Sequence, residues 1–161
     1  MHRRAAELIR ELGLAPHPEG GFFREIFRSA VLVEPCDGRS RRSALTAIFY
    51  LLARGQVSRW HSVRSDEVWH LYEGGPLELL IASPDARSIE SARLGPVGKQ
   101  ATPTRTVAAG CWQAARPLGD YALAGCTVAP GFEYGDFHML ADDPQTAARL
   151  RAVAPQLAEL L

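Results

Sequence analysis

The spacing of apolar and polar positions changes period twice along the chain. Ala5, Leu8, Ile9 and Leu12 fall at i, i+3, i+4 and i+7, which predicts an amphipathic helix over residues 3 to 12. Gly13 supplies its stop. Pro16, Pro18, Gly20 and Gly21 then break the pattern ahead of a strand-like run through Phe27. In that run Phe23, Glu25 and Phe27 alternate with Phe22, Arg24 and Ile26, so both faces carry apolar side chains. Residues 34 to 43 (EPCDGRSRRS) read as loop. From Ala44 onward short β-rich runs succeed one another, near 44–53, 57–62, 66–73, 76–82, 88–93, 104–109, 111–116, 121–128 and 133–140. Asp143-Pro144 offers an N-cap with proline at the first helical position, predicting a helix through Ala152 that Pro155 breaks.

Many short strands at this rhythm predict a mainly β sandwich or barrel with a short helix at each end. No repeat or linker divides residues 1–161, so a single domain is expected. Composition narrows the partners. Acidic and basic residues balance at 18 each, which leaves no global field to draw the chain to nucleic acid or to an anionic membrane. No apolar run approaches the roughly 20 residues a spanning helix requires, and Glu7, Arg10 and Glu11 interrupt any signal-peptide core. Cys36, Cys111 and Cys126 are odd in number and lack ligand-like spacing, which fits a reducing compartment. A cytoplasmic protein is expected.

Candidate chemistry concentrates between Gly55 and Gly74, in GQVSRWHSVRSDEVWHLYEG. This reads Gly-x5-His-x-Val-x3-Glu-x6-Gly, with His61 and Val63 on one strand face and Glu67 after a short turn. It resembles the first signature of the cupin superfamily, in which a second His stands where Val63 does. Residues 108–113 (AAGCWQ) resemble the second signature, with Gln113 at the position of its ligand His and Pro117 where an Asn would be. Together with HPEGGFFREIFRS and GDYALAGCTVAPGFEYGDF, these stretches are similar to the cupin-5 family over about His17 to Phe137.

That resemblance implies a double-stranded β-helix, a jelly-roll barrel of the deoxysugar-epimerase type. It also implies a homodimer and a barrel-mouth pocket for a small polar metabolite. A sugar or nucleotide-sugar is the expected ligand class. His61 is then the candidate base for an epimerisation or isomerisation, Glu67 its partner, and Gln113 a substrate contact. Trp69 shares Glu67's parity and should line the barrel. Arg24, with Glu25 and Arg28, is a candidate for anion recognition, and Tyr134 is a candidate substrate contact. The alternatives are a non-catalytic binding or sensing module, or a weak divalent-metal site made by His61, Glu67 and Gln113. Asp66 and His70, on the opposite parity from Glu67, are expected outside the site. His17, Glu19, Gly20 and Gly21 do not match a phosphate loop, and the glycines are expected to serve a tight turn.

Overall fold

The computed structural model describes residues 1–161. Helix α1 (Arg3–Glu11) leads into β1 (Ala15–Pro16), β2 (Phe22–Arg28) and a small ribbon, β3 (Leu32–Val33) with β4 (Arg42–Ser43). Then come β5 (Thr46–Ala53), β6 (Ser58–Val63), β7 (Asp66–Gly74), β8 (Leu77–Ala82) and β9 (Ile89–Leu94). The remaining strands are β10 (Thr104–Val107), β11 (Trp112–Pro117), β12 (Tyr121–Ala129) and β13 (Phe137–Met139), followed by α2 (Pro144–Val153). Asp143 caps α2 as expected, its side chain accepting from the Thr146 N–H at 3.1 Å. The early strand boundaries match the periodicity to within about two residues.

Two antiparallel sheets face each other, ordered β1-β2-β5-β12-β7-β10 and β13-β6-β11-β8-β9. The jelly roll expected from the strand rhythm and the signatures is present. Its inner core packs Tyr50, Leu52 and Trp69 of the first sheet against Leu77, Leu79 and Ile81 of the second. The outer face of the second sheet is also buried, because Trp60, Leu80 and Trp112 pack under Leu150 of α2 and the tail residues Leu157 and Leu160. On the first sheet, Leu51 and Leu123 are covered by Ala5 and Leu8 of α1. Burial on both faces explains why runs such as LELLIA lack a polar face.

Two stretches depart from the pattern. Residues 133 to 140, expected as one strand, hold a 3-10 turn at Tyr134–Asp136 before β13. The cause is electrostatic: the turn drops Asp136 inward, where its carboxylate meets Arg42 directly and Arg39 at 3.1 Å. The loop expected at 34–43 supplies both of those arginines, and its last residues pair as β4. The second departure lies in β2. Glu25 pairs with Ile48 and Phe27 with Ala47, so Ile26 is an extra residue, a β-bulge that flips the facing of everything after it. Arg28 therefore pairs with Thr46 and points inward, while Phe27 is left exposed.

Candidate functional site

Cross-strand register builds the site. On the first sheet one inward row runs Arg28, Thr46, Val128, Glu67, and the next runs Glu25, Ile48, Cys126, Trp69. On the facing sheet His61 stands between Gln113 and Met139, and Val63 opposite Phe137. Between the two sheets lies a cavity of about 100 Å³. Its walls include His17, Glu19, His61, Val63 and Glu67, and Phe132, Tyr134 and Phe137 close over it.

Glu67 is buried with a specific partner. The Gln113 amide nitrogen donates to Glu67 Oε2 at 2.6 Å, and the Gln113 oxygen accepts from the Trp69 indole N–H at 2.8 Å. An indole N–H can only donate, so it fixes the orientation of the amide. Gln113 is 0 % exposed and positions Glu67 instead of lining the cavity. No fully buried side-chain nitrogen or oxygen lacks a partner. Gln113 is the one nitrogen or oxygen donor to Glu67, and the Cys126 thiol lies beside the carboxylate, which leaves Oε1 facing the cavity. Neither Arg24 nor Arg116 pairs with Glu67; Arg116 instead bridges Glu78 and Glu159.

His61 is held at both ring nitrogens. Nδ1 lies 2.7 Å from the Arg59 carbonyl oxygen, which accepts only, so Nδ1 carries a proton. Nε2 lies 3.1 Å from Glu19 Oε2. A proton must sit between those two atoms, on one side or the other. Burial disfavours charge on either partner, pushing Glu19 up and His61 down from their ordinary values. The neutral pair, Glu19 donating to the imidazole, is the state that desolvation favours. Ser58 donates to the other Glu19 oxygen at 3.0 Å.

Glu19 and His17 are the site residues that the sequence reading left out. Both sit on the turn that Gly20 and Gly21 make possible, with the His17 N–H on the Gly21 oxygen and the Gly20 N–H on the His17 oxygen. The His17 ring packs edge-on against Phe23 at 4.5 Å, and burial holds its pKa down. An acid placed just ahead of a GGFF run was the available signal; its partner lies some forty residues away, beyond local pattern.

The remaining candidates divide. Tyr134 lies at the cavity mouth and is 58 % exposed. Trp69 is buried in the core behind Glu67. Arg24 is exposed and does not line the cavity, because it sits before the bulge on the outer face of β2; Arg28 reaches the mouth in its place. Asp66 is exposed and caps the Ala109 N–H, and His70 stacks on Tyr72, both outside the site as expected.

Cupin barrels imply a metal, which would need three or four convergent donors here. Val63 supplies no donor, Gln113 turns an N–H toward Glu67, and both His61 nitrogens are engaged. No group of three or more His, Cys, Asp or Glu side chains converges in metal-binding geometry. His61, Glu67 and Gln113 thus do not form a ligand set, and these residues do not fit a resident metal.

The Cupin_5 sequence model, described as cupin superfamily (DUF985), matches residues 6–140. The chain belongs to this family. A hypothetical protein from Leishmania major is similar to this Cupin_5 protein at 31% identity and TM-score 0.82, covering 97% of this chain and 95% of that one. A Shewanella oneidensis protein is similar at 31% identity and TM-score 0.81, covering 97% and 93%. Oxalate decarboxylase from Bacillus subtilis shares the fold at 13% identity and TM-score 0.58, over 91% of this chain and 36% of that one. No curated protein matches this sequence. No helix is long and apolar enough to cross a membrane.

Burial of Glu67 gives the first testable consequence. Desolvation raises its pKa in the fold above the ordinary carboxylate value of about 4.5. Its contribution to stability is therefore fully present below about pH 4.5 and is lost as pH rises through the folded value. Glu67→Gln removes that loss. It should raise Tm at pH 7, with the gain fading to nothing near pH 4, at about 2–4 °C per kcal/mol in a domain of this size. His17 and His61, held low by burial, slope the other way and cost stability as pH falls below 6.5. A Tm change in Glu67→Gln that is independent of pH would show that its carboxylate is not desolvated.

Proposed function

We propose that this protein binds a small sugar-type metabolite in the cavity and moves a proton at a carbon beside its carbonyl. One observation carries the reading: Glu67 Oε1 is open to the cavity, opposite a His61–Glu19 pair that shares one proton. Glu67 reaches in from β7 and His61 from β6, so a base and a proton donor approach a ligand from facing sheets. The C–H proton passes to Glu67 Oε1, and its electron pair moves onto the carbonyl oxygen as an enediolate. The proton held between Glu19 and His61 is available to that oxygen. A carboxyl whose pKa is raised by burial is a better base near neutral pH than an exposed one. In this arrangement His61 orients and shares a proton, and Glu67 is the base.

A second reading rests on its own observation. Both His61 nitrogens and both Glu19 oxygens are satisfied within the protein, as suits a binding or sensing pocket without chemistry.

One experiment separates the two. The protein is incubated in D2O with a panel of uncharged aldoses and ketoses, and deuterium uptake beside the carbonyl is followed by NMR. Catalysis predicts uptake that falls by about 10²–10⁴-fold in Glu67→Gln. Saturable binding without uptake selects the sensing module. Neither binding nor uptake across the panel would end the sugar reading.

A further inference from the structure

The charged groups at the cavity mouth form a closed set. Arg28 Nε and Nη2 donate to the two Glu25 carboxylate oxygens at 3.0 and 2.8 Å. Its Nη1 donates to Glu133 at 2.9 Å, and Nη2 also reaches the Phe132 carbonyl oxygen at 3.2 Å. Four of the guanidinium's five N–H donors are thereby spent on protein groups. Two carboxylates against one cation leave this collar with a formal charge of −1. It stands in solvent, with side chains 38–50 % exposed, where an incoming ligand meets it first.

No second Arg or Lys lines the cavity. Arg39 and Arg42 are committed to Asp136, and Arg59 turns away to the Pro18 carbonyl oxygen. Deeper in stand Glu19, Glu67, His17 and His61; burial disfavours the charged form of all four, so no imidazolium waits there to take up an anion's charge. A phosphate at Arg28 would have to displace a carboxylate and then sit beside it, with no further cation to share its charge. Phosphoryl recognition elsewhere relies on Arg forks or Lys left free for the ligand.

Building on the sugar-type reading above, we propose that Glu25, Arg28 and Glu133 form an anion-excluding collar. The collar restricts the cavity to uncharged hydroxylated ligands and rejects phosphorylated or nucleotide-linked ones. Arg28 here is a specificity device that holds two carboxylates in place at the mouth.

The collar is tested without knowing the natural ligand. Three methanethiosulfonates of similar size carry an aminoethyl, a hydroxyethyl or a sulfonatoethyl group. Their modification rates are measured by peptide-resolved mass spectrometry at a mouth thiol, Tyr134→Cys, and at the native cavity thiol Cys126, in a Cys36→Ser/Cys111→Ser background. Each rate is divided by that on a free cysteine peptide. The cationic reagent should outpace the anionic one at least tenfold at the mouth, with the neutral reagent between. At 1 M salt the ratio should collapse toward one, and in Glu25→Gln/Glu133→Gln, which leaves Arg28 alone at the mouth, it should fall to one or below. A ratio of one or less with both carboxylates in place, or a ratio unmoved by the double substitution, overturns the collar. So does a saturable rise in Tm with UDP-glucose, which the collar predicts to be absent. The two readings fail separately: loss of all sugar binding with the charge ratio intact would sink the sugar proposal and leave the filter standing.

Discussion

Asp136→Ala is expected to cost about 3–5 kcal/mol of stability, because it strands two guanidinium groups in a buried site. Arg39 and Arg42 both turn to this carboxylate, with side chains only 5 % exposed. Arg39 has a second acid, Asp37 at 2.7 Å, and a bond to Ser65, while Arg42 otherwise holds only the Ser40 carbonyl oxygen. Asp37 is the internal control. It is 44 % exposed, so Asp37→Ala should cost no more than about 1 kcal/mol. Urea unfolding of the two variants decides the matter, and equal losses would mean that the Asp136 cluster is no clamp. Asp136 also lies within the segment that brings Phe132, Tyr134 and Phe137 over the cavity. The substitution should therefore loosen the pocket wall as well as the fold.

Gly20→Ala should be comparably damaging for a different reason. Gly20 has φ +114°, and a Cβ there would overlap the Val57 carbonyl oxygen. Backbone strain of about 1–3 kcal/mol adds to about 1–3 kcal/mol of overpacking against rigid backbone. Gly38 separates the two terms, since its φ of +81° is also positive but no atom lies near its missing Cβ. Gly38→Ala should cost about 1–2 kcal/mol from conformation alone. A Gly20→Ala loss no larger than that would show that the turn can move aside. If it does move, Glu19 goes with it, and His61 loses the partner at Nε2.

The fold and part of the site were legible in the sequence for physical reasons. Strand alternation placed His61 and Val63 on one face and Glu67 on the next inward strand, and local geometry alone suffices for that. The expected role of Gln113 changed because its function is set by Trp69, forty-four residues away in sequence and on the opposite sheet. Glu19 escaped because a turn, the β2–β5 register and a facing sheet must all be known before it can be placed against His61. The 3-10 turn at Tyr134–Asp136 escaped because a strand-like stretch yielded to a buried charge whose partners lie in a distant loop. In each case local pattern gave the element or the face, and long-range electrostatics or hydrogen bonding gave the role.

The extra residue at Ile26 bears on how such a pocket diversifies. A substitution at the rim alters one group at a time, but the bulge sets the phase of the strand end. Were Ile26 drawn into the ladder opposite Ala47, strict alternation would turn Phe27 toward the mouth and carry Arg28 to the outside. Glu25 and Glu133 would then lose the cation between them. Ligand preference at this mouth can thus change in one step through any change that draws the bulge into the ladder, with the side chains deeper in the cavity left as they were.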